Sequence, residues 1–223
     1  MEPRLTGIDR GETLRALGWR GEHVMPELFR VVERCEALML ETARPRAVWR
    51  FFDLLPGGKL AGAGFTPQGK DVRALLADCD RAILFGVTLG AEAEALLRRT
   101  QAVNMTDAVV LNACASAAVE NVCDNLCADL ALQVAPRFLT DRFSPGYGDM
   151  PLEQQAQLCR ALDITRRIGV SLTSGGMMIP QKSVTAIVGV ADRPQRMRPR
   201  GCAACALRET CAYGKDGQGC GAK

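Results

Sequence analysis

RFSPGYGDMP, residues 142–151, packs an arginine, two prolines, two glycines and a tyrosine into ten positions. Proline fixes φ at Pro145 and Pro151, while Gly146 and Gly148 can take left-handed conformations or admit close approach of a ligand. The plainest reading is a tight turn between a strand before it and a helix that starts at Pro151. Two side chains ask for more. Arg142 offers a planar fork suited to a carboxylate. Tyr147, one of two tyrosines in the chain, sits between glycines, where its ring could flank a ligand.

The flanks agree with the turn. RFLTDRFS (137–144) predicts a strand leading in, and LEQQAQLCRAL after Pro151 predicts a helix leading out. Upstream, residues 106–134 carry the longest helical pattern. Its run of Ala113, Cys114, Ala115, Ser116, Ala117 and Ala118 would let another backbone approach closely. Cys123 and Cys127 lie four apart on one face of it, a spacing that could bind metal but more often marks small core residues. Downstream, IGVSLT (168–173) and KSVTAIVGV (182–190) predict strands joined by the loop SGGMMIPQ.

The N-terminal half is mixed. Asp9 with Glu12 predicts a capping box opening a short helix over 12–17. Pro26 suits a first helical position, and Leu28, Val31, Val32, Cys35, Leu38 and Met39 form one apolar face. RAVWRFFDL (46–54) predicts a strand, 56–69 a loop or weak hairpin, 71–79 a short helix, RAILFGVTLG (81–90) a buried strand and AEAEALLRR (91–99) a helix. This irregular mixture predicts an α+β domain of helices and a twisted antiparallel sheet rather than a doubly wound fold. Neither a phosphate-loop motif nor a G-x-G-x-x-G after a strand is present, so nucleotide folds of those types are not supported.

The chain has 223 residues, 48% of them hydrophobic, enough for one domain with a small appendage. Residues 192–223 hold seven Lys and Arg against three Asp and Glu, a net +4, leaving the preceding residues at −1 out of a total of +3. The main body therefore lacks the basic footprint of a nucleic-acid binder. MEPRLTGIDRGE has no apolar signal region and no run is long enough to span a bilayer, which predicts a cytoplasmic protein without membrane contact. Ten cysteines then argue for thiols, metal or redox chemistry rather than a disulfide framework. The one histidine, His23, reads as a capping or surface residue.

The boundaries follow: a domain over 1–191, a basic Pro-rich linker over 192–201, and a tail over 202–223. The tail carries Cys202, Cys205, Cys211 and Cys220 in the spacing C-x2-C-x5-C-x8-C. Four thiolates on a poorly hydrophobic tail suit an iron–sulfur cluster or structural zinc, with an unliganded tail as the alternative. The other six cysteines, Cys35, Cys79, Cys114, Cys123, Cys127 and Cys159, fall on helical patterns and are expected to be buried.

RFSPGYGDMP resembles the R-x-x-P-G-Y-x-x-x-P signature of the S-adenosylmethionine-binding activation domain of cobalamin-dependent methionine synthase. IGVSLTSGGMMIPQKSVTAIVGV resembles the same family's I-G-x-x-L-T-E-S-x-x-M-x-P-x-x-S-V block, in the right order and at a fitting separation. The helix with AAVENVCDNL resembles the one preceding the signature. The resemblance spans roughly residues 80–190 and looks most like a stand-alone form of the domain. It implies that Arg142 grips the carboxylate of S-adenosylmethionine, that Ser144, Gly146 and Tyr147 line the site, and that Glu120 lies toward the amino group. It further implies a role in reductive methylation of cobalamin during methionine biosynthesis.

No D-x-H-x-x-G corrinoid motif is present, so the cobalamin should belong to a partner methionine synthase or another corrinoid protein. The electron would come from a donor such as flavodoxin or ferredoxin, or from a cluster on the tail. The alternatives are an iron–sulfur reductive activator of another corrinoid methyltransferase, or a non-catalytic S-adenosylmethionine-binding or metal-binding adaptor. Three departures stand out: the family's T-E-S reads Thr173-Ser174-Gly175, an aromatic of the last strand reads Val188, and Asp53 is the nearest match for an acidic residue on the N-terminal side.

Overall fold

In the strand β3 (Cys79–Thr88) successive side chains must point to opposite faces, yet residues 82–87, AILFGV, carry no polar side chain at all. The computed structural model, which describes residues 3–19 and 25–195, explains this by burying both faces. Ile83, Phe85 and Val87 join one hydrophobic core and Ala82 and Leu84 another. The neighbouring strands β1 (Arg46–Leu55) and β7 (Ser183–Ala191) pair antiparallel to β3 along most of its length. Two short strands finish the sheet, β2 (Lys59–Leu60) beside β1 and β4 (Phe138–Leu139) beside β7, giving the order β2-β1-β3-β7-β4, antiparallel throughout. The predicted α+β class and antiparallel sheet are both present.

Helices cover each face. On one lie α2 (Pro26–Thr42), α4 (Ala91–Val103) and the 30-residue α5 (Met105–Val134), with α1 (Arg10–Ala16) packed on α5. On the other lie α3 (Lys70–Leu76), α6 (Gln154–Leu162) and α7 (Ile164–Ile168). Helix α5 is about 45 Å long at the usual rise per residue. It meets α1, α2, α4 and the sheet, so its apolar residues are not confined to one stripe. Ala113, Cys114, Ala115, Ala117 and Ala118 are buried there, the close packing their size predicts. Asn104 caps it by accepting from the Asp107 amide at 3.2 Å.

Several boundaries differ from the sequence expectations for identifiable reasons. Asp9 does cap α1 by accepting from the Glu12 amide, but the Glu12 carboxylate turns to Arg15 instead of completing the box. Leu38 stays exposed because α2 buries only the narrower stripe of Val32, Cys35, Glu36 and Met39. The helix expected over 71–79 stops at Leu76, and Cys79 opens β3. Asp163 adopts a left-handed φ of 52°, which ends α6 and starts α7. IGVSLT therefore begins inside a helix, and only β5 (Ser171–Leu172) is strand, paired with β6 (Met178–Ile179) inside the expected loop. RFLTDRFS is strand only at Phe138–Leu139, followed by a bridge at Phe143.

Substituting Phe85 by Ala should lower the urea-unfolding free energy by about 3–5 kcal/mol, because its ring is fully buried in the central strand. Val103→Ala, at a side chain 87% exposed, should move it by less than about 0.5 kcal/mol.

Candidate functional site

Residue Phe143 holds the opening motif to the sheet. Its amide donates to the Ile187 carbonyl at 3.0 Å, and the Ile187 amide donates back at 2.8 Å. The Phe143 ring enters the core on the α6 side. Alternation along the chain then turns its neighbour Arg142 the other way, toward α5. There Glu120 and Asp124, four apart and so on one helical face, receive it. Arg142 Nη2 donates to Glu120 Oε2 at 2.8 Å, and Nη1 donates to Asp124 Oδ1 at 2.6 Å.

The three side chains differ in exposure. Arg142 is 27% exposed, Glu120 45% and Asp124 69%. One cation faces two carboxylates, so the cluster carries a net −1 with all three charged. Burial pushes the Glu120 carboxyl up, and the Arg142 guanidinium pulls part of that back. Burial works against the charge on Arg142, while the Asp124 carboxylate hydrogen-bonded to it favours that charge. Burial also raises the Cys123 and Cys127 thiols, with Arg142 opposing in each case, so both are protonated at neutral pH. Cys123 is wholly buried in the α5 core, in keeping with a packing role rather than a metal site. Cys35, Cys114 and Cys159 are buried as expected, whereas Cys79 and Cys127 are partly exposed.

The rest of the motif is tied at its far end. The Ser144 carbonyl accepts from the Tyr147 amide at 3.0 Å, and the Gly146 amide donates to the Met150 carbonyl at 2.9 Å. Gly148 takes a φ of 52°, and a Cβ there would stand 2.5 Å from Asp71 Oδ2. The Asp149 carboxylate accepts from the amides of Lys70 and Asp71 at 2.6 and 3.1 Å. It thus caps α3, whose own N-cap is the side-chain-free Gly69. Those two amide bonds hold its carboxyl below the usual range. Positive φ at Gly146 and Gly148 thus helps one short segment join β7, α3 and α6. The Tyr147 ring is 71% exposed and stands edge-on to Phe143 at 6.2 Å between centroids.

Arg142, Glu120, Ser144, Gly146 and Tyr147, the residues expected to line a site, thus stand on α5 and one adjoining loop, with Glu120 and Arg142 in direct contact. Asp124 was missed, although its place one turn beyond Glu120 on the helix would have revealed it. Lys182 was missed as well. Its Nζ donates to Ser116 Oγ at 2.8 Å, one turn before Glu120. Burial pushes that amine down while Glu94 draws it partly back.

Ser174 is exposed in the turn between β5 and β6, where Thr173 Oγ1 accepts from the Met177 amide at 3.1 Å. Val188 is fully buried against the α5 side, so a core position accounts for it. Asp53 pairs with Arg81 at 3.6 Å on β1, with β3 and β7 between it and the motif. His23 and the four tail cysteines lie outside the described residues. Among the described residues no group of three or more His, Cys, Asp or Glu side chains could hold a metal, and no helix is long and apolar enough to cross a membrane.

Residues 79–196 match the family described as vitamin B12 dependent methionine synthase, activation domain. The fold is similar to a crystal structure of the MetH reactivation domain bound to AdoHcy. The TM-score is 0.61 at 16% identity, over 84% of this chain and 75% of that one. A search of curated proteins finds no match.

Replacing Gly148 by Ala should lower the unfolding free energy by about 1–3 kcal/mol, since the left-handed backbone and the Asp71 contact both oppose a Cβ. Tyr147→Ala should leave the melting temperature nearly unchanged, because its ring is mostly in solvent. Thermal melts of the two variants check both expectations.

Proposed function

This chain belongs to the vitamin B12 dependent methionine synthase activation domain family, and we propose that it is a stand-alone reactivation subunit. In this reading it binds S-adenosylmethionine and supports reductive methylation of cobalamin held by a partner methionine synthase. The observation that carries the reading is the fork of Arg142, held near the surface by Glu120 and Asp124. A guanidinium so placed can exchange protein carboxylates for the carboxylate of a ligand. Glu120 then faces the ligand's ammonium, and Ser144, Gly146 and the exposed Tyr147 ring flank the nucleoside.

The substrate chemistry asks for positioning rather than acid–base groups. One electron reduces cobalt(II) to cobalt(I). The cobalt(I) pair attacks the methyl carbon, the carbon–sulfur bond breaks, its electrons return to sulfur, and S-adenosylhomocysteine leaves. No proton moves, which agrees with a chain containing a single histidine. That histidine sits in GEHVM and not in a D-x-H-x-x-G sequence; in this reading the corrinoid is held by a partner. The electron would come from a flavodoxin or ferredoxin, or from an iron–sulfur cluster on Cys202, Cys205, Cys211 and Cys220. Zinc in that Cys set would give the tail a structural role instead. Cytoplasmic placement belongs to the same reading.

Isothermal titration of S-adenosylmethionine into the anaerobically purified protein should show binding. Arg142→Ala should weaken it by about 30-fold or more, the loss expected on removing a charged hydrogen-bond pair. Unchanged affinity in that variant would contradict the reading. Iron, sulfide and zinc analysis of the same preparation checks the tail: iron with sulfide supports a cluster, zinc alone a structural site, and none of these a tail without metal.

A further inference from the structure

The Arg142 fork is already occupied. Asp124 Oδ1 lies 2.6 Å from Nη1 and Glu120 Oε2 lies 2.8 Å from Nη2. A ligand carboxylate that reaches this guanidinium must displace at least one of them. The two are not equally ready to leave. Asp124 is 69% exposed, whereas Glu120 is 45% exposed. Release of Asp124 returns a carboxylate to water, where its hydration replaces the lost pair at little net loss. Asp124 lies one turn beyond Glu120 on α5, which runs on to Val134, and its side chain is mostly in solvent.

We propose that Asp124 is an internal competitor for the ligand's carboxylate. It holds the empty fork in place and must swing away when an aminocarboxylate ligand binds. The inference rests on the reading of Arg142 as a carboxylate clamp. It adds that Asp124 lowers the affinity modestly and selectively: the small penalty falls on ligands that use the fork and spares those that do not. Glu120 remains in place and gains the ligand's ammonium as its new partner.

The test uses S-adenosylhomocysteine, whose aminocarboxylate is net neutral, and 5′-methylthioadenosine, which keeps the nucleoside and thioether but lacks that group. Both probes are net neutral, so a change in the protein's overall charge attracts or repels neither at long range, and a difference between them reports on the aminocarboxylate at the fork. Affinities are measured calorimetrically for the wild type, Asp124→Asn, Asp124→Ser and Arg142→Ala, with circular dichroism melts to show that each is folded. Asp124→Asn should bind S-adenosylhomocysteine about three- to fivefold more tightly than the wild type, the range expected for an exposed ion pair. Methylthioadenosine binding should not change, and the gain should shrink in high salt.

Asp124→Ser should behave alike, which guards against an effect peculiar to one substitution. Equal or weaker binding of S-adenosylhomocysteine by both Asp124 variants overturns the proposal and makes Asp124 a support for the fork, with the clamp reading intact. Equal tightening of both ligands also overturns it. If no protein binds S-adenosylhomocysteine, or if Arg142→Ala binds as the wild type does, the clamp reading itself fails, and this inference fails with it.

Discussion

The pair of backbone hydrogen bonds between Phe143 and Ile187 is the constraint on which the arrangement depends. It is an isolated bridge, not part of a continuous strand, yet it fixes which way each neighbouring side chain faces. With Phe143 buried on the α6 side, Arg142 has to face α5. A slip of one residue would reverse this and bury the guanidinium among Leu158, Leu162 and Ile187, where an unpaired charge is very costly. The identity of the core residue therefore protects the position of the charged one.

The same economy runs through the rest of the loop. Asp149 satisfies two amides of α3 that Gly69 cannot reach. Buried Gln154 and Gln155 anchor α6, the first to the 66–68 backbone and the second to Thr185 of β7 at 2.6 Å. The loop is held by ordered structure at each end and exposes Tyr147 between the ends. For a ligand at this loop, a segment held in this way would leave little to order, so less affinity would be lost on binding.

Much of this was legible in the residues. β1, β3 and β7 were recognisable because their branched and aromatic side chains suit a strand between two helix layers. The length and small-residue packing of α5 were equally plain. What escaped depended on partners far along the chain. The break between α6 and α7 lies in one left-handed Asp163, and aspartate does not announce that conformation as glycine does. The β5–β6 pair is two residues on each side, too short for any alternation to show. At the site, the motif pointed to Arg142 and Glu120, but only their tertiary contact brings in Asp124. Lys182 escaped because a lone lysine before a strand reads as solvated, and here it reaches Ser116.

The most direct measurement is a crystal structure of the protein in complex with S-adenosylhomocysteine. The account predicts both ligand carboxylate oxygens at about 2.7–2.9 Å from the Arg142 guanidinium, with Asp124 turned to solvent and Tyr147 against the nucleoside. A ligand bound elsewhere, with Arg142 still held by both Glu120 and Asp124, would contradict it.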